Sequence, residues 1–273
     1  MIKKYFVKLQ PRDVLFLKLV SQFGYLTSEH VEKWIFKTSN KSTRKRLLML
    51  ERAHFINFVT RRERSGTRKV YIPNQKELVG ILDEELLPRC SKAVTMKPWF
   101  RSLTGHEDLV RNWAIRLQLL FPDALVDLDF MSSKSENESL NETGESSGLT
   151  PDIVLKLSTG AEIAFEIELT HKNQSRYFRK FFEILSTPNR PSVYLVNSLN
   201  VRNLVLKNLE LVRQDMSSKG QFEYSELEVV SFEELTSDEK LIDLVTRHSA
   251  ICHRHSVYGK SDPQLKNGNL IFG

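Results

Sequence analysis

Residues 150–180 read TPDIVLKLSTGAEIAFEIELTHKNQSRYFRK. Two runs of alternating character meet at a turn, Ser158-Thr159-Gly160. In the return run Ile163, Phe165, Ile167 and Leu169 share one face and Glu162, Ala164, Glu166 and Glu168 the other, because successive strand side chains point to opposite sides. The outgoing run sets Ile153, Leu155 and Leu157 against Asp152, Val154 and Lys156. The stretch therefore predicts a β-hairpin with an apolar side and a carboxylate side. Clustered carboxylates repel unless positive charge sits among them. A hard divalent cation, Mg²⁺ or Mn²⁺, supplies that charge through carboxylate and water oxygens. A basic segment follows at Lys172, Arg176, Arg179 and Lys180, and acid for a metal beside base for a phosphodiester suits metal-assisted hydrolysis of nucleic acid. The same residues also suit a solvated edge hairpin whose acidic face is incidental.

Pro151-Asp152, a hairpin, then Glu166-x-Glu168 ahead of a basic helix resembles the PD-(D/E)XK nuclease fold. The resemblance spans roughly residues 100–235. It implies Asp152 and Glu166 as ligands of Mg²⁺ or Mn²⁺. Glu168 stands where that motif usually carries Lys, and would complete or tune the metal site. Lys172 or Lys180 would then supply the missing positive charge at the scissile phosphate, with Arg176 as an accessory.

Length and composition set wider bounds. At 273 residues, 40% hydrophobic and 27% charged, the chain suits one large or two small cored domains. No apolar run reaches the roughly 18 residues of a membrane span, and the first residues, MIKKYFVKLQPRD, lack the apolar centre of a signal peptide. Two cysteines without patterned spacing, Cys90 and Cys252, fit a reducing cytoplasm. The net charge of +6 hides a split: residues 1–100 carry 21 Lys/Arg against 9 Asp/Glu, the remainder 19 against 25. A basic first third is the sign expected of a part that meets nucleic acid.

That first third predicts a helix over 12–24, a second through EHVEKWIF capped by Thr27 or Ser28, and a third near TRKRLLMLERA. The third helix turns Leu47 and Leu50 inward, with Leu48 as a third inward candidate, and exposes Lys41, Arg44, Lys45 and Arg52. Strands at 55–60 and 68–72 follow, joined by a tip that holds Arg61, Arg62 and Arg64, with Arg68 and Lys69 just beyond. Three helices and a basic hairpin resemble bacterial winged helix-turn-helix domains. That plan places the third helix in the major groove and the hairpin along phosphates or the minor groove. Winged helices also serve as protein-protein modules, and a charged helix face can be merely solvated.

A connecting helix is expected over 75–87, then a link to Trp99. The next helix starts at His106, with Leu109, Trp113, Leu117 and Leu120 inward. In the nuclease resemblance Glu107 is a candidate fourth acidic residue at the metal; the helix dipole alone also favours an acid there. His106 orients a carboxylate or phosphate, or is structural. A strand over 125–130 precedes a polar insert, 132–148, expected to be mobile. Beyond the hairpin come a helix over 174–185, strands at 192–196 and 227–231, and a helix over 201–212. His248, Cys252, His253 and His255 have a spacing that could bind zinc, but no second cluster completes a tetrahedral set.

The expected architecture is thus α+β: a winged helix-turn-helix domain at 1–90, a linker at 91–103, a nuclease-like core with a mixed central sheet at 104–245, and a tail at 246–273. As a whole it resembles the replication-relaxation proteins and plasmid mobilisation relaxases of bacterial mobile elements. That resemblance implies a cytoplasmic, nucleoid-associated protein that recognises a particular site on double-stranded DNA and nicks it or assists another protein there, together with a second copy or other mobilisation or transposition proteins, and with no membrane partner. The alternative is a site-specific DNA-binding regulator whose nuclease fold is inactive or serves dimerisation.

Overall fold

A computed structural model describes residues 7–63, 66–82, 105–128, 151–170, 172–187, 190–221 and 225–258, with side chains left out at 62, 63, 66, 67, 75 and 253–258. The architecture is α+β and falls into two compact units, which divide between Leu119 and Leu120. Arg64, Cys90, the linker 91–103, the insert 132–148 and residues 259–273 lie outside the described residues. Among the described residues no helix is long and apolar enough to cross a membrane.

In the first unit α1 (Pro11–Gln22) opens with Pro11 in its first turn, where its missing N–H costs nothing, and with Asp13 accepting from the Gln10 backbone N–H at 2.6 Å. Strand β1 (Leu26–Thr27) leads into α2 (Ser28–His30), which continues as a π-helical segment, Val31–Phe36. Helix α3 (Asn40–Arg52) buries Thr43, Leu47 and Leu50. Its Arg46 donates to the buried Asp13 carboxylate at 3.0 and 2.5 Å, tying α3 to α1. Strands β2 (Ile56–Glu63) and β3 (Gly66–Pro73) pair antiparallel, and β1 adds to β3, giving the order β1-β3-β2. A one-turn α4 (Gln75–Leu78) replaces the longer helix expected over 75–87: Gly80, at φ 81°, follows it, and residues 83–87 lie outside the described residues.

Helix α5 (Gly105–Leu120) belongs, through Leu119, to this first unit. The sequence-based boundary at 104 placed it with the nuclease-like core. The reason for the difference is polar: Asp108, Arg111 and Asn112 bond to residues of 23–68, as described below.

The second unit is a five-stranded mixed sheet, β4-β5-β6-β7-β8, built from Leu125–Leu128, Ile153–Lys156, Glu162–Glu168, Ser192–Val196 and Leu227–Ser231. The first two pairings are antiparallel and the last two parallel. Parallel neighbours need crossovers, and helices α6 (Gln174–Ser186) and α7 (Leu199–Ser218) supply them. The hairpin turns at Gly160, whose φ of 84° suits glycine, and closes with the Leu157 N–H donating to the Ala161 carbonyl at 2.9 Å. Tyr177, Phe181, Leu185, Tyr194, Val205, Leu209 and Val212 form one buried cluster under α6 and α7.

Helix α8 (Asp238–Tyr258) closes the unit. Residues 246–258 are therefore the second half of a helix and not part of a tail. Leu241, Leu244, Val245 and His248 are buried at helical spacing and hold it.

Candidate functional site

The pairing register builds the acidic site. Ile153 faces Phe165 and Val154 faces Ala164, so Asp152, one residue before the strand, falls opposite Glu166. The Asp152 carboxylate accepts from the Ile167 backbone N–H at 2.8 Å, and its charge acts on the Glu166 carboxyl opposite. Across the parallel pair Glu166 stands beside Tyr194, and Glu168 beside Val196.

This face is covered. Helix α6 presents Tyr177, Lys180, Phe181 and Ile184 at i, i+3, i+4 and i+7, a single stripe. Phe181 meets the Tyr194 ring edge-on at 5.3 Å, and Tyr177 stacks on Phe181 at 5.4 Å. Glu166 is 3% exposed and Glu168 7%. A solvated edge hairpin is thereby excluded, since β6 lies in the middle of its sheet.

Positive charge among the carboxylates comes from α6 and the segment before it. Lys180 Nζ donates to Glu166 Oε2 at 2.7 Å and lies 5.5 Å from the Tyr194 ring centre. Burial pushes the Glu166 carboxyl up to about 7; the Lys180 cation opposes this, while the neighbouring Asp152 charge adds to it. Glu168 turns to other partners: Lys172 Nζ at 3.3 Å, the Tyr194 hydroxyl at 3.3 Å and the Thr170 N–H at 3.3 Å. The Lys172 N–H in turn donates to the Tyr177 hydroxyl at 3.2 Å. Burial raises both tyrosines above their ordinary value, so they stay protonated and Tyr194 donates.

The expected set of carboxylates thus resolves into a pair, Asp152 and Glu166, with Glu168 engaged separately. Among the described residues no three His, Cys, Asp or Glu side chains form a group that could hold a metal. Two carboxylates facing each other across the hairpin, one with its proton affinity raised by burial, are still a donor set that suits Mg²⁺ or Mn²⁺, which take one or two carboxylates and complete their shell from water and phosphate. Tyr194 and Tyr177 were missed from sequence. The clue was Tyr194 inside SVYLV, a polar tip in an otherwise apolar strand. Arg176 and Arg179 are exposed on α6.

Glu107 and His106 lie half-buried in the first turn of α5, in the first unit, whereas Asp152 and Glu166 belong to the second. The neighbouring acid, Asp108, is the busier one. Its carboxylate accepts from the Tyr25 hydroxyl at 2.9 Å, from Arg61 Nη1 at 3.0 Å and also from Arg61 Nη2, and from Arg68 Nη1 at 3.4 Å. Burial pushes its carboxyl up, but the Arg61 hydrogen bonds and charge outweigh that, and it ends below the usual value. His30 Nε2 lies 3.1 Å from the Asp108 carbonyl, and burial lowers His30 to about 4, so it is neutral. Arg111, fully buried, stacks its guanidinium 3.4 Å from the Tyr25 ring centre and donates to the Phe23 carbonyl; burial lowers it to about 10. The Trp34 indole N–H donates to Asn112 at 2.8 Å.

This network revises the basic surface of the first unit. Arg61, placed by sequence at the hairpin tip, is 3% exposed and spent on Asp108. Arg68 is divided between Asp108 and Glu29. Arg62 and Arg64 lie outside the residues whose side chains are described. Lys41, Arg44, Lys45 and Arg52 are exposed on α3, as expected. Lys69 is exposed on β3, 3.6 Å from the Phe58 ring centre and 4.0 Å from Glu51.

In the C-terminal helix the His248 Nδ1–H donates to the Leu244 carbonyl at 2.9 Å, and Cys252 Sγ donates to the Glu162 carbonyl at 3.8 Å. The side chains of His253 and His255 are not described. Compared with family models, with curated proteins and with solved structures, the chain returns no match.

Proposed function

We propose that this chain is a double-stranded-DNA-binding protein with a divalent-metal-dependent endonuclease site. In this reading the first unit is a winged helix-turn-helix and the second a PD-(D/E)XK-like core. The helix-strand-helix-helix-strand-strand order of the first unit supports the former. A mixed sheet with Asp152, just before one strand, opposite Glu166 on the next supports the latter. The observation that carries the proposal is the buried Glu166 carboxyl opposite a half-buried Asp152, with Lys180 Nζ at 2.7 Å from Glu166.

Asp152 and Glu166 hold the cation, which when bound supplies Lewis acidity and charge neutralisation at a phosphodiester. The Ile167 N–H fixes the Asp152 carboxylate. Lys180, beside Glu166, offers its ammonium to a phosphate oxygen from the helix and not from the strand position that Glu168 occupies. The aromatic cover of Tyr177, Phe181 and Tyr194 lowers the local dielectric, which strengthens each of these interactions. A bacterial mobile element, with a relaxase or replication-relaxation role, is the setting that the family resemblance gives to this chemistry.

A second reading is a site-specific regulator with an inactive core. It is favoured by Glu168, which stands in the motif's lysine position and is already held by Lys172 and the Tyr194 hydroxyl. Incubating the full chain with a supercoiled plasmid library carrying random inserts, with and without Mn²⁺ or Mg²⁺, separates the two. Metal-dependent open circles support the nuclease; retention of DNA without nicking under either ion supports the regulator.

A further inference from the structure

Helix α3 carries an apolar residue where its surface is most basic. Buried positions are Thr43, Leu47 and Leu50, whereas Leu48, an inward candidate by sequence, is 40% exposed and Met49 38%. At about 100° per residue, Lys41, Arg44, Lys45 and Arg52 all fall within about 60° of Leu48 around the axis. All four cations are exposed. Leu48 therefore lies among four exposed cations, and the acid on the same arc, Glu51, is half-buried and lies 4.0 Å from Lys69. Leu48 is not among the buried core residues of its unit, and a solvated face would do as well with a polar residue there.

A surface that covers Leu48 must present negative charge around an apolar point. The B-DNA major groove does so: phosphates line its walls, thymine C5-methyl groups dot its floor, and its width admits one α-helix. We infer that Leu48, with Met49 beside it, reads thymine methyl groups in the major groove while Lys41, Arg44, Lys45 and Arg52 contact the flanking phosphates. This rests on the duplex-DNA reading of the first unit and adds to it a base preference and the residue that sets it. The four cations supply affinity without sequence information; Leu48 supplies discrimination.

The test uses the full-length chain and duplexes that it enriches from a random-sequence library. Each thymine of an enriched duplex is replaced in turn by deoxyuridine, which removes the methyl group and keeps the pairing. Wild type is expected to bind about fourfold more weakly at one or two positions, the effect of one buried methyl-sized group. Leu48→Ala should bind the thymine and deoxyuridine duplexes equally, with the cooperative unfolding transition retained because the side chain lies outside the buried core. Indifference of wild type to deoxyuridine at every position, or full methyl sensitivity retained in Leu48→Ala, would overturn the inference and leave DNA binding intact. Enrichment of no duplex at all would instead remove the DNA reading and this inference together. A Leu48→Ala chain that changes its sedimentation and not its DNA preference would assign the patch to a second copy of the chain and overturn the inference as well.

Discussion

Lys180 Nζ lies 2.7 Å from Glu166 Oε2, and both groups sit beneath an aromatic layer. One ammonium thus partly offsets a carboxyl pair, Asp152 and Glu166, which would otherwise repel in a poorly hydrated place. The offset is incomplete, since Glu166 still holds its proton up to about pH 7.

That has a consequence for stability. A carboxyl with a raised folded-state pKa keeps its proton longer in the folded chain, so its contribution is present below about 4.5 and is lost as pH rises through about 7. Between pH 5 and pH 8, wild type should lose on the order of 2–3 kcal/mol relative to Glu166→Gln. His30 runs the opposite way: its depressed value, about 4, makes its contribution present above about 6.5 and lost as pH falls. Only the difference between wild type and the variant, from urea denaturation at each pH, isolates Glu166. Parallel pH profiles for the two proteins would contradict the assignment.

Asp108 and Arg61 should behave as a structural pair. Removing one partner of a buried ion pair strands the other, at about 3–5 kcal/mol. Asp108→Ala and Arg61→Ala are each expected to destabilise the first unit by that order, and the double variant by much less than their sum. Additive losses in urea melts would show that the two do not act together.

The exposed cations of α3 should show the converse. Single changes of Lys41, Arg44, Lys45 or Arg52 to Ala leave thermal stability within about 0.5 kcal/mol. Each should lower the slope of log affinity for duplex DNA against log salt by about one. An unchanged slope in all four variants would take phosphate contact away from this face.

Glu168 gives a charge-reversal test. Glu168→Lys restores the usual motif in sequence but places a second ammonium where Lys172 now lies 3.3 Å from the carboxylate. It should destabilise the second unit, and adding Lys172→Glu should recover part of the loss. A Glu168→Lys chain as stable as wild type would mean that the Tyr194–Glu168–Lys172 arrangement contributes little.

The hairpin and its two faces were legible because a period of two leaves few alternatives, and the register that sets Asp152 opposite Glu166 follows from the turn at Gly160. What covers the acidic face was not legible. Alternation gives the side on which Glu166 lies but not whether water or α6 meets it. Arg61 was assigned to the surface because charge counts cannot separate an exposed guanidinium from one buried against Asp108, 47 residues on. For the same reason α5 was assigned to the second unit: its polar residues, and not its leucines, fix it to the first. The helix over Asp238–Tyr258 was foreseeable from Leu241, Leu244, Val245 and His248, but the Cys-His spacing drew attention to metal chemistry instead.

The most direct test of the nuclease assignment is the rate at which the full chain converts a supercoiled plasmid library to open circles in Mn²⁺, compared with Glu166→Gln and Asp152→Asn prepared alongside. Outer-sphere partners of a bound metal are already worth about 10–100-fold, so loss of either carboxylate should slow nicking by at least about a hundredfold. DNA retention should be unchanged in both variants. Equal nicking by wild type and Glu166→Gln, or no nicking by a wild-type chain that binds the library, would contradict it.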